Sequence, residues 1–365
     1  MMPNNLKEKK VLLRVDFNVP FIKGKITDDF RIRAELPTIK KLLSQRAQIF
    51  IITHLEQNNL IPHLNFLAAD LERRLKIKIK FIKGEIPQNQ IVCEEKIILF
   101  DNIRLNPGEK KNDATFARKL ATFGDFYIDD AFGAMHRKHA SIVGVPGLLP
   151  GELGPLAKKE IFELAKSFKP KKPFLFVLGG KKFATKEPLI NKFLKNTNYI
   201  FLCGALANTF LRERGYNIGK SIADDTKIPK KILWNKKIIL PSDAVIARAG
   251  KKINISIDQL CVGDAIYDIG RDTSKQLAKL AQTSKFILWN GTLGICEIGF
   301  YEGTKQFAKA IGKSKAYSIV GGGDTISAIR QLKLEKNFDF ISTGGGAMLE
   351  FLAKGTLPGI TALEK

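Results

Sequence analysis

Short apolar runs rich in β-branched and aromatic residues alternate with amphipathic helical patterns along the whole chain. This alternation is typical of parallel sheets, because each parallel pair of strands needs a crossover connection, usually a helix. We therefore predict an α/β fold. The predicted strands are residues 11–16, 48–53, 96–100, 126–129, 174–178, 199–203, 237–240, 286–289, 317–320 and 339–342, and helical patterns include 31–45, 65–75, 114–122 and 274–281.

Two of the predicted strands end in glycine-rich turns, GGGDT at 321–325 and STGGG at 342–346. Glycine lets the backbone bring its N–H groups against phosphate oxygens, and the amino end of a following helix adds a positive dipole. Asp324 supplies a hard oxygen ligand, which a magnesium ion on a nucleotide's phosphates requires. The alternative is that these glycines only form tight turns.

Polar and glycine residues cluster where the predicted strands end. In open α/β sheets, ligands bind at the edge formed by the carboxyl ends of the strands. One such edge in each half of the chain predicts two ligands that meet across a cleft. The end residues include Asp16-Phe17-Asn18, Thr53-His54, Asp101-Asn102, Asp129-Asp130, Gly179-Gly180, Ser242-Asp243 and Asn290-Gly291.

The length of 365 residues exceeds the size at which one hydrophobic core keeps growing, so we expect two domains. Residues 145–155 hold three prolines and three glycines, and KPKKP follows at 169–173. We place the boundary there, with domains at 1–155 and 171–348. A helix and linker at 156–170 connect them, and a segment at 349–365 returns toward the first domain.

The net charge of +24, from 60 basic and 36 acidic residues, fits nucleic-acid binding, anionic substrates or a general lysine bias. Dispersed lysine is weak evidence for a nucleic-acid groove. The polar start at 1–10 has no export signal, and the longest uncharged run, 196–211, is too short for a membrane span. The four cysteines lack metal or CxxC spacing, so we expect free thiols in a cytoplasmic protein.

Basic residues in both halves suit phosphate ligands. GGKKFATK at 179–186 places Lys182 and Lys186 four residues apart on one helical face, so that both can approach one phosphate chain, although both could be solvated surface lysines. In the first half, Arg31, Arg104 and Arg137 offer planar forks for carboxylate and phosphate, and each alone could be a surface ion-pair residue. His54, His136 and His139 are scattered and lack ligand spacing, so we exclude zinc.

Seven motifs occur along the chain: VLLRVDFNVP, KITDDFRIRAELPTI, DAFGAMHRKHAS, PFLFVLGGKK, ILWNGTLG, IVGGGDT and ISTGGGA. Together they resemble the phosphoglycerate kinase family over almost the full length. The resemblance implies an α/β fold of two doubly wound parallel-sheet (Rossmann-like) domains joined by a hinge helix. It implies glycolytic phosphoryl transfer between 1,3-bisphosphoglycerate and ADP, with the glycerate on the first domain, magnesium ADP or ATP on the second, and hinge closure.

The resemblance also implies site residues, carried over by motif. Asp324 would be the metal ligand, and Lys182 would neutralise the transferring phosphoryl group. Catalytic residues would be Arg31, Lys182 and Gly345; substrate-binding residues Asp16, Phe17, Asn18, Arg31, His54, Gln57, Arg104 and Arg137; nucleotide-binding residues Lys186, Glu297, Gly322, Gly323, Asp324 and Thr325.

The sequence departs from the family pattern in places. HLEQN at 54–58 stands where the family usually has HLGRP, which removes an arginine from the substrate site. Thr185 replaces a carboxylate, WNGP is WNGT, and Ile266 stands where a glycine is expected. These changes bear on affinity, adenine contact and hinge energetics more than on the reaction.

A rival hypothesis is an inactive homologue that uses its charge to bind RNA or another polyanion. Retention of Lys182, Lys186 and Asp324 speaks against it. We expect small-molecule substrates, Mg²⁺ with ATP or ADP, a monomer, and neither membrane nor specific nucleic-acid partners.

Overall fold

The computed structural model describes residues 6–89 and 91–364. The first five residues of the polar start lie outside the described residues. Contacts divide the chain into two compact units. Unit 1 holds the described residues up to Phe162 together with those from Gly346 onward, and unit 2 holds Glu163–Gly345. In the described part of the chain, no helix is long and apolar enough to cross a membrane.

The elements alternate as the sequence pattern predicts. The first half contains β1 (Lys10–Arg14), β2 (Phe21–Ile22), β3 (Lys25–Ile26), α1 (Phe30–Ser44), β4 (Gln48–Ile52), α2 (Asn65–Leu75), β5 (Ile79–Ile82), β6 (Ile97–Phe100), α3 (Pro107–Lys111), α4 (Ala114–Ala121), β7 (Phe126–Asp129), β8 (Gly151–Leu153) and α5 (Pro155–Ala165). The second half contains β9 (Phe174–Leu178), α6 (Glu187–Phe193), β10 (Tyr199–Leu202), α7 (Gly204–Glu213), α8 (Lys230–Leu233), β11 (Ile238–Ile239), β12 (Asp243–Arg248), β13 (Lys251–Ser256), β14 (Asp268–Ile269), α9 (Arg271–Thr283), β15 (Phe286–Asn290), α10 (Glu302–Gly312), β16 (Tyr317–Gly321), α11 (Gly323–Gln331), β17 (Phe340–Ile341), α12 (Gly346–Lys354) and α13 (Pro358–Leu363).

Unit 1 is built on a parallel sheet with strand order β5-β6-β4-β1-β7-β8. Successive strand residues point to opposite faces, so both faces must be covered when both are apolar. Leu13 packs in one cluster with Ile39 of α1 and Leu71 of α2. Leu12 packs on the other face with Leu120 of α4. Helices therefore cover both faces of the sheet.

Unit 2 contains a second parallel sheet, with strand order β11-β10-β9-β15-β16-β17. Val177 packs in one cluster with Leu277 of α9, Phe307 of α10 and Ile329 of α11. Phe176 faces the other way, and its ring centroid lies 5.0 Å from that of Phe193 in α6. The predicted fold class, α/β with two doubly wound parallel sheets, is confirmed.

The structure adds an antiparallel sheet that the sequence did not reveal, with order β13-β12-β14. Its apolar cluster includes Ala244, Ile246 and Ile257. The strand Lys251–Ser256 is largely polar, so it lacks the apolar run by which we recognised the other strands. Pairing with β12, rather than its own composition, holds it in the sheet.

Tertiary contacts also move the ends of helices. The pattern predicted a helix at 274–281, whereas α9 spans Arg271–Thr283. The Asp243 carboxylate accepts the N–H groups of Asp272 (3.0 Å) and Thr273 (2.8 Å). N–H groups in the first turn of a helix have no partner within the helix. The Asp243 carboxylate supplies one and so stabilises a helix that begins at Arg271.

Residues after Gly346 pack on unit 1. The Phe351 ring of α12 lies edge-on to Phe132, with centroids 6.0 Å apart. The Gly359 N–H of α13 donates to the Met135 carbonyl at 2.9 Å. The last helices of the chain therefore belong to the same compact unit as its first strand.

Candidate functional site

A cavity of about 690 Å³ opens in unit 2 where β9, β10, β15 and β16 end. Its volume is in the range usual for small-molecule sites. Parallel strands bring the residues that follow them to one edge of the sheet. The lining includes Lys186, Glu297, Gly322, Gly323, Asp324 and Thr325.

The ends of β9 and β15 touch at this cavity. The Gly179 N–H donates to the Asn290 carbonyl at 2.7 Å. Gly291 has a φ of +114°, and a Cβ placed on it would lie 2.6 Å from the Gly179 Cα. Glycine is therefore required at this contact, and its missing side chains leave backbone exposed to a ligand.

The first turn of α11 lines the same cavity. The Gly291 N–H donates to the Thr325 hydroxyl at 2.9 Å, which ties this turn to the end of β15. Within the described residues, the buried Nδ2 of Asn290 has no hydrogen-bond partner. The positive end of a helix beside an unused N–H donor suits an anionic ligand.

Lys186 lines the cavity, whereas Lys182 is exposed and lies outside the lining. Burial lowers the pKa of Lys186. A Cβ on Gly180 would lie 2.6 Å from the Lys186 Cε, so glycine makes room for this lysine. The prediction that both lysines share a helical face is wrong, because α6 begins only at Glu187, with Pro188 in its first turn.

Apolar side chains complete the lining, among them Ile222, Ile257, Ile266 and Leu293. Glu297, in the short 3₁₀ turn Cys296–Ile298, adds a carboxylate. The cavity thus combines an apolar surface, a carboxylate and a glycine-rich turn at the amino end of a helix. This combination suits a nucleotide, because its base can pack on the apolar surface, its sugar hydroxyls can bond the carboxylate and its phosphates can lie at the glycine-rich turn.

Unit 1 carries a cluster of cations around a neutral histidine. Burial, and then the charges of Arg14, Arg104, Arg137 and Arg31, lower the pKa of His54 well below its usual value. The Arg14 guanidinium donates to His54 Nδ1 at 3.1 Å. An arginine can only donate, so Nδ1 accepts and the proton of the neutral ring is on Nε2.

Arg31 is held by groups that follow β1. Its Nη1 lies 3.2 Å from the Asp16 carboxylate and donates to the Asn18 carbonyl at 2.9 Å. The Asn18 side-chain oxygen in turn accepts the Glu56 N–H at 3.1 Å. These contacts fix the guanidinium and leave it part-exposed, with 24% of its side chain accessible.

Arg104 is the most enclosed of the predicted substrate arginines, with 2% of its side chain accessible. Burial, and then the neighbouring Arg137, lower its pKa to about 10. Its Nε is buried and has no hydrogen-bond partner within the described residues. Glu56 forms an ion pair with its Nη1. A concentration of cations around these groups suits an anionic ligand.

Comparisons with known proteins identify the family of this chain. Residues 1–355 match the family model described as phosphoglycerate kinase. A phosphoglycerate kinase of Orientia tsutsugamushi (strain Ikeda) is 40% identical across 98% of this chain and 95% of that protein. The chain belongs to the phosphoglycerate kinase family. Another member, from Borreliella afzelii (strain PKo), is 38% identical across 99% of this chain and 98% of that protein.

Solved structures of the family share the fold. The structure of phosphoglycerate kinase from Coxiella burnetii superposes with a TM-score of 0.84 at 35% identity, covering 99% of this chain and 97% of that chain. That of the Pyrococcus horikoshii phosphoglycerate kinase gives 0.88 at 28% identity, with the same coverage. The predicted family resemblance is therefore confirmed. Nothing in these comparisons supports the polyanion-binding alternative.

Some residues expected from the family have other contacts. The Gln57 amide accepts from the Phe21 N–H at 3.1 Å and donates to the Phe21 carbonyl at 3.3 Å. Phe17 is fully buried in the core, and its N–H donates to the Thr53 hydroxyl at 3.1 Å. Gly345 has a φ of +52° and precedes α12. Their roles in substrate binding and catalysis stay predictions.

Sequence reasoning missed Arg14, although it binds His54. The only feature of the sequence that pointed to Arg14 was a single charged residue inside the apolar run VLLRV. Arg14 is 1% exposed and also donates to the Ser141 hydroxyl at 3.0 Å. A buried arginine needs such partners, because an unpaired buried charge is strongly destabilising.

A buried carboxyl beside this cluster makes stability depend on pH. Burial raises the pKa of Asp129 to about 7. Its unfolded pKa is about 3.9, so the folded state holds the proton more tightly and stability decreases as pH rises through this window. We expect Asp129→Asn to raise the thermal midpoint more at pH 8 than at pH 5, relative to the parent. Asp258→Asn, at an exposed position, is the control, and an equal midpoint difference at both pH values would contradict the assignment.

Proposed function

We propose that the chain catalyses reversible phosphoryl transfer between 1,3-bisphosphoglycerate and ADP, giving 3-phosphoglycerate and ATP. The observation that carries this proposal is the cavity in unit 2, because each of the six residues expected at the nucleotide lines it. No observation favours a second function.

In this proposal the nucleotide occupies the unit 2 cavity. Its base lies against apolar side chains that include Ile266, and Glu297 binds the ribose. Its phosphates lie over Gly322 and Gly323 and are neutralised in part by Lys186. The unused Asn290 N–H donor supports this placement, since a phosphate oxygen would satisfy it.

We propose that Mg²⁺ accompanies the nucleotide and neutralises its phosphates. Mg²⁺ is commonly bound by one or two carboxylates together with substrate phosphates and water. Asp324 is exposed in the first turn of α11 and lines the cavity, so it can serve as that carboxylate. In the described part of the chain, no group of three or more His, Cys, Asp and Glu side chains could hold a metal ion alone. The residues therefore fit a metal that arrives with the nucleotide.

Asp324→Asn is expected to raise the Mg²⁺ concentration needed for half-maximal ADP binding by about tenfold, because a neutral amide is a poorer ligand for a hard cation. Calorimetric ADP titrations at several Mg²⁺ concentrations measure this shift. ADP binding without Mg²⁺ should not weaken, since the repulsive carboxylate is gone. Asp258→Asn is the control. An unchanged Mg²⁺ requirement would remove Asp324 from the metal site.

We propose that unit 1 binds the three-carbon acid. Arg31, Arg104 and Arg137 bind its phosphate and carboxylate, and the neutral His54 donates from Nε2. Asp16 and Asn18 hold Arg31 in place, as the contacts at 3.2 and 2.9 Å indicate. The attacking group of 3-phosphoglycerate is already a carboxylate, so the reaction needs no general base. Positioning and charge neutralisation, assigned to Arg31, Lys182 and Gly345, are sufficient for phosphoryl transfer.

A coupled assay tests the function directly. Purified protein with ATP, Mg²⁺ and 3-phosphoglycerate should generate ADP, and omission of 3-phosphoglycerate should stop it. ADP release that does not depend on 3-phosphoglycerate would overturn the proposal.

We further propose a cytoplasmic monomer. All four cysteines are free thiols, which supports a reducing compartment. Light scattering after size exclusion would test the monomer, with an expected mass near 40.7 kDa.

A further inference from the structure

Glu56 occupies the cation cluster of unit 1. Its carboxylate forms an ion pair with Arg104 and lies 3.2 Å from the Lys110 ammonium. Lys110 and Arg104 lower the pKa of Glu56 against the opposing effect of burial, so it is ionised at neutral pH. A residue of the chain itself thus places a negative charge where the proposed substrate would place one.

The charges that surround Arg104 favour an anion at this position. Burial, and then the charges of Arg137 and Arg14, lower the pKa of Arg104 to about 10, while Glu56 acts in the opposite direction. Within the described residues, Glu56 is the carboxylate that forms an ion pair with Arg104. Without it, Arg104 would face mostly like charges, which is unfavourable at partly buried positions.

The main chain at Glu56 is anchored, whereas its side chain can leave. The Glu56 N–H donates to Asn18 at 3.1 Å, and the next residue, Gln57, is bound to Phe21. The Glu56 side chain is 24% accessible. Rotation about side-chain bonds alone can therefore carry its carboxylate from Arg104 to solvent, without movement of the strand ends.

We propose that Glu56 is an internal anion that neutralises Arg104 and Lys110 in the free protein and is displaced by an anionic group of the three-carbon substrate. This inference rests on the proposed function of unit 1. Glu56 then determines substrate affinity, because each binding event must first break its two charged contacts. It stabilises the free protein and weakens substrate binding for the same reason.

Glu56→Gln tests this proposal, since it keeps the shape and removes the charge. We expect the KM for 3-phosphoglycerate to fall about fivefold, because one competing charged contact is lost. The KM for ATP and kcat should stay within about twofold. The thermal midpoint should fall without ligand and rise more than that of the parent when 3-phosphoglycerate is added.

The matched control is Glu94→Gln, which removes the same charge from an exposed position in unit 1. It should leave both KM values unchanged. A KM for 3-phosphoglycerate that is unchanged or higher in Glu56→Gln would overturn the inference, and a higher value would mean that Glu56 positions Arg104 for the substrate. An inactive parent protein would mean that the proposed function has failed. An active parent with an unchanged KM in the variant would mean that only this inference has failed.

Glu56→Asp provides a second test if the glutamine variant does not fold. Aspartate keeps the charge, but its side chain is one methylene group shorter, so the contact between its carboxylate and Arg104 weakens. The KM for 3-phosphoglycerate should then fall about twofold. No fall in this folded variant would contradict the proposal.

Discussion

Replacing Lys182 with alanine is expected to lower kcat by about 100- to 1000-fold, the range for loss of one preorganised charged or hydrogen-bonding group at a transition state. Lys182 is exposed and lies outside the lining of the unit 2 cavity, so ADP affinity should stay near that of the parent. An interaction made only in the transition state affects kcat rather than ground-state binding. Steady-state kinetics and calorimetric ADP binding separate the two effects.

The neighbouring backbone is anchored without the Lys182 side chain. The Phe183 N–H donates to the Asp224 carboxylate at 2.7 Å, and the Thr185 hydroxyl donates to the Lys182 carbonyl at 2.9 Å. The alanine variant should therefore fold normally. Lys195→Ala, at an exposed lysine in the same unit, is the matched control and should retain full activity. A kcat within about threefold of the parent would remove Lys182 from the proposed catalytic residues.

Gly291→Ala should destabilise unit 2 by about 3 kcal/mol or more. The residue has a φ of +114°, which costs about 1–2 kcal/mol for an L side chain. The new Cβ would also lie 2.6 Å from the Gly179 Cα and 2.7 Å from its nitrogen. These are main-chain atoms, so the ends of β9 and β15 must separate. Overpacking of this kind costs about 1–3 kcal/mol more.

Gly250→Ala isolates the contribution of the backbone conformation. Gly250 has a φ of +73° in the turn between β12 and β13, and no atom lies within 4 Å of the point that its Cβ would occupy. Its cost should be about 1 kcal/mol. Urea unfolding of both variants gives the comparison, and ADP titration should show weaker binding for Gly291→Ala alone. Equal destabilisation would refute the close contact between the two strand ends.

Local patterns were sufficient for the fold class and the positions of most parallel strands. The run Phe174–Leu178 is buried throughout and ends at the predicted residue. Buried parallel strands are apolar on both faces and so are recognisable without any partner. The strand Lys251–Ser256 was not recognisable from the sequence, because a half-exposed strand with lysines depends on its neighbour for its structure.

The residues proposed for the nucleotide lie close together for a similarly local reason. Gly322 and Asp324 lie in one continuous turn, so their sequence already implies their proximity. Contacts between distant segments could not be predicted in this way. Gly179 and Gly291 touch only because β9 and β15 pair, and Asn290 faces the cavity only because it ends that strand.

At the proposed substrate site in unit 1, the sequence by itself determined which charges are available, and the tertiary structure decided how they pair. Three arginines and a histidine were identified from their motifs. Burial, and then Arg14, lower the pKa of His54, and Glu56 pairs with Arg104; both contacts follow from side chains 40 and 48 residues apart meeting at one sheet edge. Such pairing depends on burial and distance, which set the strength of a charge interaction and which a linear pattern does not contain.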